Sequence, residues 1–177
     1  MRVIAGEFKG RNLNTLDGLD VRPTTNKVKE AIFSSIQFQI EGRRFLDLFA
    51  GSGQMGIEAV SRGAKSVVFV EENRKAFSVI KENLKMLNSP NNVNLLNISA
   101  ESFLLSCKDK FDIAFLDPPY KDELLPGTVR NLSRIMKENS IIICEHSSDE
   151  VLPDKIEGFK KIRTKKYGKI SVSFFES

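Results

Sequence analysis

This 177-residue chain has no tryptophan, one histidine, two cysteines, two tyrosines and six prolines. Each scarcity removes a class of protein. Cys107 and Cys144 sit in apolar segments with neither a CxxC spacing nor a paired histidine, so neither a disulfide framework nor a zinc site is suggested, and both thiols are expected to be reduced core residues. No metal is expected. No apolar run approaches the ~20 residues that span a bilayer, and Met1 to Glu7 lacks a basic patch followed by an apolar stretch and a cleavage site. The expectation is a cytoplasmic protein with no membrane partner. Internal repeats, low-complexity tracts and linkers rich in Gly, Pro or Ser are also lacking. Residues 1–177 therefore read as one domain, with 1–40 an amino-terminal hairpin and helix extension and 41–177 the core. His146 follows the fifth apolar run and reads as a surface or capping residue. A net charge of +4 does not by itself imply a nucleic-acid partner. The distribution of the charge decides that question.

What the sequence does have is alternation. Short apolar runs occur at Phe45–Phe49, Ser66–Val70, Val93–Leu96, Phe111–Leu116 and Ser140–Cys144, separated by segments of helical period. Near-continuous hydrophobicity over so few residues suits parallel strands covered on both faces. Between the second and third runs, Ala76, Phe77, Ile80, Leu84 and Leu87 share a helical face, with Asn73 as N-cap and Asn88-Ser89-Pro90 as the stop. The repeated β-α-β pattern predicts an α/β, doubly wound, mostly parallel sheet, which binds ligands at the carboxyl ends of its strands. Both ends of the chain depart from that pattern. Residues 2–16 read as a short hairpin, and after it comes a helix with inner face Val28, Ala31, Ile32, Ser35 and Ile36. Phe159 to Phe175 reads as two strands turning at Tyr167-Gly168.

After the first run comes Asp47-Leu48-Phe49-Ala50-Gly51-Ser52-Gly53-Gln54-Met55-Gly56, a glycine-rich turn opening a helix. Glycines let the backbone turn tightly and approach a ligand closely. Glu71, at the end of the second run, is placed to accept hydrogen bonds from a ribose. Gly51, Gly53 and Gly56 alone fit a nicotinamide dehydrogenase equally well. Asp47 favours another cofactor: a buried carboxylate repels a pyrophosphate but suits the cationic S-adenosylmethionine. It could also cap the amides of the turn, and the two roles are compatible.

The most specific feature is Asp117-Pro118-Pro119-Tyr120, directly after the fourth run. An exocyclic base amine is a poor nucleophile because its lone pair is delocalised into the ring. Acceptors against its N–H groups, the Asp117 carboxylate and the Pro118 carbonyl, favour electron density on nitrogen and take up positive charge as a bond forms. Prolines hold that carbonyl outward without competing donors. Tyr120 offers a flat face on which an extruded base can stack.

These motifs, with Arg2-Val3-Ile4-Ala5-Gly6 and Arg22-Pro23-Thr24-Thr25, together resemble the bacterial 16S ribosomal RNA guanine-N2 methyltransferase family of the RsmD type, over essentially the whole chain. The resemblance implies a Rossmann-like class I methyltransferase sheet of seven strands and S-adenosylmethionine as cofactor. It also implies a guanine N2 of 16S ribosomal RNA as substrate, met free or in the assembling small subunit, and a monomer is expected. The implied cofactor residues are Asp47, Phe49, Ala50, Gly51, Ser52, Gly53, Glu71 and Asp117, with the adenine pocket falling on Ser99-Ala100-Glu101 and so on Ala100 and Glu101. Asp117, Pro118 and Tyr120 take the catalytic roles. Glu71 is preferred to Glu72 because strand alternation points one of the two away.

Basic residues cluster twice. Lys155, Lys160, Lys161, Arg163, Lys165, Lys166 and Lys169 are opposed only by Glu157, a density that suits phosphate contacts or an edge strand protected from aggregation. Lys27 and Lys29, after Arg22, open a helix against its macrodipole at a cost of about 0.3 to 1 kcal/mol per charge. Local rules tend to be broken at functional sites, so Arg11, Arg22, Lys27 and Lys29 are the expected RNA contacts. An amino-methyltransferase of another RNA or of DNA, and a non-catalytic RNA-binding protein retaining the cofactor fold, are also compatible with these residues.

Overall fold

The computed structural model describes residues 1–16, 25–119 and 124–177, and in it the apolar runs line up as one sheet. Along the chain come α1 (Asn26–Ser35), β1 (Arg44–Asp47), α2 (Gln54–Ser61), β2 (Ser66–Val70), α3 (Arg74–Met86), β3 (Val93–Leu96), α4 (Ala100–Ser106), β4 (Phe111–Leu116), α5 (Leu124–Ser133), β5 (Met136–Ser147), β6 (Lys155–Ile156), β7 (Phe159–Tyr167) and β8 (Ile170–Glu176). The strand order is β3-β2-β1-β4-β5-β8-β7-β6. The first five strands are parallel neighbours, and β8 returns antiparallel against β5. Among the described residues the sheet has eight strands where seven were expected, because Lys155–Ile156 pairs with the start of β7 as a two-residue edge strand. A run that short carries no period from which to read it.

Alternation along each strand divides the core between the two faces. Phe45, Ile113, Phe115, Ile141 and Ile143 pack with Ile32, Phe33, Ile57 and Ile80 of α1, α2 and α3. Leu46, Ala114, Leu116, Ile142 and Cys144 pack with Phe103, Leu125, Val129 and Leu132 of α4 and α5. Burial on both faces is why these strands read as unbroken apolar runs. Helix α3 begins where expected, with the Asn73 side chain accepting from the Lys75 and Ala76 amides, and it ends where Asn88 and Ser89 take positive φ.

The amino-terminal segment pairs antiparallel through the single bridge Arg2–Asn12, not as two strands. Four of its amides are directed to α2. Ile4 N and Ala5 N donate to the two oxygens of Glu58, and Glu7 N and Phe8 N donate to the carbonyl and hydroxyl of Ser61. Asn83 of α3 secures the far end by accepting from Asn14 N and donating to the carbonyls of Asn14 and Ser52.

Two expectations need correction here. His146 is buried and not at the surface, its ring set between the Ser147 carbonyl and the Ser173 hydroxyl, at 2.9 Å from each. Lys29 is also fully buried: it lies 3.7 Å from Glu58 and donates to the Arg2 carbonyl at 2.7 Å. The inner face of α1 is therefore wider than its apolar positions indicated, with Phe33 and Lys29 joining Val28 and Ile32. Lys29 cannot meet a phosphate from there. Among the described residues no helix is long and apolar enough to cross a membrane.

Candidate active site

The parallel strands place the chain segments following β1, β2, β3 and β4 at one end of the sheet, and a cleft of about 320 Å³ opens among them. Leu48, Phe49 and Gly51 line it from the turn after β1, Val70, Glu71, Glu72, Asn73 and Ala76 from the β2–α3 corner, and Ile98 and Ala100 from the approach to α4. Asp117 and Pro119 line it after β4, and Leu16 from the end of the amino-terminal segment. The walls are largely apolar. The charges are all carboxylates, with no cation among the described lining residues.

Glu71 ties the glycine turn to the end of β2. One of its oxygens accepts from Gly51 N and the other from Asn73 N, each at 2.7 Å. Half-burial raises its pKa and the two amides moderate the rise. Glu72 lines the same cleft, against the expectation that it would point away, because β2 ends at Val70 and strand alternation no longer governs the pair.

Asp47 ends β1, fully buried, with one oxygen accepting from Gly56 N at 2.8 Å. Burial pushes its carboxyl up to about 7. Of the two roles read from the sequence, the structure displays the capping one. Asp117 is half-buried beside the cleft, and its pKa is held well above the ordinary value, first by desolvation and then by the carboxylates of Glu145 and Asp47. Glu145, near the end of β5, is almost fully buried. The sequence does not single it out, because it follows an apolar run with no motif around it.

The three glycines of the turn do different things. Gly51 lines the cleft at φ +55, with open space where a Cβ would stand. Gly53 does not reach the cleft; it is the N-cap of α2 at φ +79, and a Cβ there would meet Ile80 at 3.1 Å. A Cβ at Gly56 would overlap the ring of Phe69. The constraint at Gly53 and Gly56 is thus helix packing, not approach to a ligand.

Of the other expected residues, Phe49 and Ala100 line the cleft. Ala50 is buried with its amide on the Val70 carbonyl, and Ser52 is buried and faces Met1. Glu101 is exposed on the first turn of α4 and is not among the lining residues, whereas Ile98, which has no distinguishing pattern, is. Pro118 is buried and Pro119 reaches the cleft. Arg11 and Lys27 are exposed, Arg11 donating to the Met86 carbonyl. Tyr120 and Arg22 lie outside the described residues.

A family model described as "Conserved hypothetical protein 95" matches residues 1–176. The chain is 39% identical over 181 residues to YlbH of Bacillus subtilis (strain 168), covering 99% of this chain and 98% of that one. To Ribosomal RNA small subunit methyltransferase D of Escherichia coli (strain K12) it is 31% identical over 178 residues, covering 99% and 89%. The solved structure of yhhF from Escherichia coli superposes with a TM-score of 0.90 at 30% identity, over 99% of this chain and 97% of that one. A match that runs from the amino-terminal segment through the last strand, on a sheet that places Asp117-Pro118-Pro119 beside the glycine turn, leaves one assignment: the chain belongs to the RsmD family of ribosomal RNA methyltransferases.

Proposed function

We propose that the cleft binds S-adenosylmethionine and that the chain transfers its methyl group to the exocyclic N2 amine of a guanine in 16S ribosomal RNA. The observation that carries this reading is the charge of the cleft. Glu71, Glu72 and Asp117 line it without a cation among the described residues, which disfavours the pyrophosphate of a dinucleotide and suits a positively charged ligand. The donor set fits that ligand part by part. Glu71 is placed for the ribose hydroxyls, Phe49, Ile98 and Ala100 offer apolar walls for an adenine ring, and Gly51 keeps a side chain out of the cavity. When bound, S-adenosylmethionine supplies an electrophilic methyl group and leaves as the neutral thioether.

The chain's own residues do the rest. Asp117 and the Pro118 carbonyl are the acceptors for the amine, orienting its lone pair and compensating its developing charge. Tyr120, next in sequence, is assigned the stacking surface for the base. The small-subunit substrate is supported by the relative named for it, and the guanine N2 by the family resemblance. Arg11 and Lys27, with Arg22, are assigned to the RNA backbone, and buried Lys29 is not.

Mass-spectrometric analysis of nucleosides from 16S ribosomal RNA tests the reading. Cells lacking the gene should lack one N2-methylguanosine, the wild-type gene should restore it, and one encoding Asp117→Ala should not. An unchanged nucleoside profile in the deletion strain would refute the proposal.

A further inference from the structure

We infer that Glu145 is a positioning residue for methyl transfer: standing beside Asp117 on the neighbouring strand, it makes Asp117 the acceptor of the proton that the amine must lose. This rests on the reading that Asp117 faces the amine. The juxtaposition follows from register. β4 and β5 pair Ile113 with Ile141, Ala114 with Ile142, Phe115 with Ile143 and Leu116 with Cys144, on chains about 4.8 Å apart, and Asp117 and Glu145 are the residues that directly follow the last of these pairs. Ile143 belongs to the core under α1, α2 and α3 and Cys144 to the opposite core, so within β5 Glu145 returns to the first face, and Asp117, one residue past the end of β4, is close enough for the Glu145 carboxyl group to act on it. The same count from Phe45 puts Asp47 there too. Three adjacent strands thus bring three carboxyl groups together near their carboxyl ends.

The groups around them set the electrostatics. Among the described residues, those acting on Asp117 are the carboxyl groups of Glu145 and Asp47, and each raises its pKa. β8 lays Val172 against Glu145, between Ser171 and Ser173, and brings no charge there. On α1 and α2 the cations Lys29 and Arg62 are engaged by Glu58, and Glu71 and Glu72 are the charges across the cleft. Glu145 is 2% exposed and is not among the residues lining the cleft, so it acts through Asp117 and not on the ligand.

The chemistry needs such an acceptor. As the amine nitrogen bonds to the methyl carbon, the carbon–sulfur bond breaks and its electron pair stays on sulfur. The nitrogen then carries one proton too many. That proton passes to an Asp117 oxygen, and from the neutral acid to solvent once the product leaves. A carboxylate beside another carboxylate in a buried site is a stronger base than one alone, and the two titrate as a coupled pair.

The test is the pH dependence of single-turnover methyl transfer, using small ribosomal subunits from cells lacking the gene and saturating S-adenosylmethionine. Asp117 must be ionised to accept, so the rate rises with pH through its titration. Glu145→Gln removes the neighbouring charge: the acidic limb should move down by about one pH unit and the alkaline plateau should fall about fivefold, because Asp117 becomes a weaker base. Glu145→Asp keeps the charge at a greater distance and should fall between the two, which also serves if Glu145→Gln does not fold. S-adenosylhomocysteine affinity, by calorimetry, should stay within about twofold in both, since neither change touches the cleft. An unmoved acidic limb, or an affinity that falls in step with the rate, overturns the role of Glu145. Asp117→Ala turning over at the wild-type rate would instead overturn the reading of Asp117 on which it rests.

Discussion

The ammonium of Lys29 stands 3.7 Å from the carboxylate of Glu58, and neither side chain reaches solvent. Around this pair the amino-terminal segment is fastened. Lys29 donates to the Arg2 carbonyl, while Glu58 accepts from the amides of Ile4 and Ala5 and from Arg62 at 2.8 Å. Through these bonds and those of Asn83, helices α1, α2 and α3 hold residues 1–14 in place, so that Leu16 arrives at the cleft. Burial lowers the Lys29 pKa, and Glu58 works against that shift.

Lys29→Met should therefore act on stability, not on RNA binding. Removing one partner of a buried pair leaves Glu58 with less compensation and typically costs about 3 to 5 kcal/mol. Urea denaturation should show a midpoint lowered accordingly. A variant as stable as the wild type would mean that Arg62 and the two amides suffice for Glu58.

Glu71→Ala removes the acceptor assigned to the ribose and also frees the Gly51 and Asn73 amides that its two oxygens hold. The expected loss of S-adenosylmethionine affinity is about 1 to 3 kcal/mol, the range for hydrogen bonds to a charged group. Glu71→Gln keeps one acceptor oxygen and should lose less. Calorimetry giving equal affinities for both variants and the wild type would take Glu71 out of the site.

What is legible in the sequence is whatever a local period or a local cap encodes. Ser66–Val70, Val93–Leu96 and Phe111–Leu116 have the same bounds as apolar runs and as strands, because strands of a helix-covered parallel sheet are mostly apolar along their length. Asn73 is readable as an N-cap because its function lies within three residues of itself. Lys29 misleads for the converse reason. Its partner is a carboxylate on another helix, nothing local distinguishes a buried lysine from a surface one, and its place against the helix dipole suggests an anion from outside. His146 misleads likewise, since the Ser173 hydroxyl that receives it lies 27 residues away. At the site, the glycine turn, Glu71 and Asp117 are visible as motif. Leu16, Ile98 and Glu145 are not, because their roles come from where the fold carries them.

Asp47 gives a pH dependence of stability with a definite sign. Its folded carboxyl is pushed up to about 7 from the ordinary value of 3.8, so the folded state holds the proton more tightly than the unfolded one. The contribution is fully present below about 3.8 and is lost as pH rises through about 7. Asp47→Asn, which mimics the protonated acid and keeps an acceptor for Gly56 N, should gain melting temperature relative to the ligand-free wild type at pH 8 and much less at pH 5. A difference independent of pH across that window would contradict the buried titration.

Arg11→Ala combined with Lys27→Ala tests the RNA surface that remains once Lys29 is withdrawn. A cation removed from a phosphate releases one counterion fewer on binding, so the slope of log affinity against log salt should flatten by about 1.4 to 1.8, with S-adenosylmethionine binding unchanged. An unchanged slope would move the RNA surface to β7, where Lys160, Lys165 and Lys166 are exposed.

The glycines of the turn should separate by experiment into two kinds. At Gly56 a methyl group would overlap the Phe69 ring, where helix α2 lies against β2, so Gly56→Ala forces the two elements apart. Overpacking of this sort costs about 1 to 3 kcal/mol, occasionally more, and the loss should appear with and without ligand. At Gly51 no atom stands within 4 Å of the added carbon, so Gly51→Ala bears only the left-handed backbone conformation at φ +55, at a cost of about 1 to 2 kcal/mol. Its methyl group, however, would stand on the lining of the cleft beside the amide that Glu71 holds. S-adenosylhomocysteine affinity should therefore fall in Gly51→Ala by more than its modest loss of stability accounts for, whereas folded Gly56→Ala should bind nearly as the wild type does. Calorimetry on both, at a temperature where each is folded, checks the division. The reverse order of affinities would place the ligand against α2 and not in the cleft that Glu71 and Asp117 share.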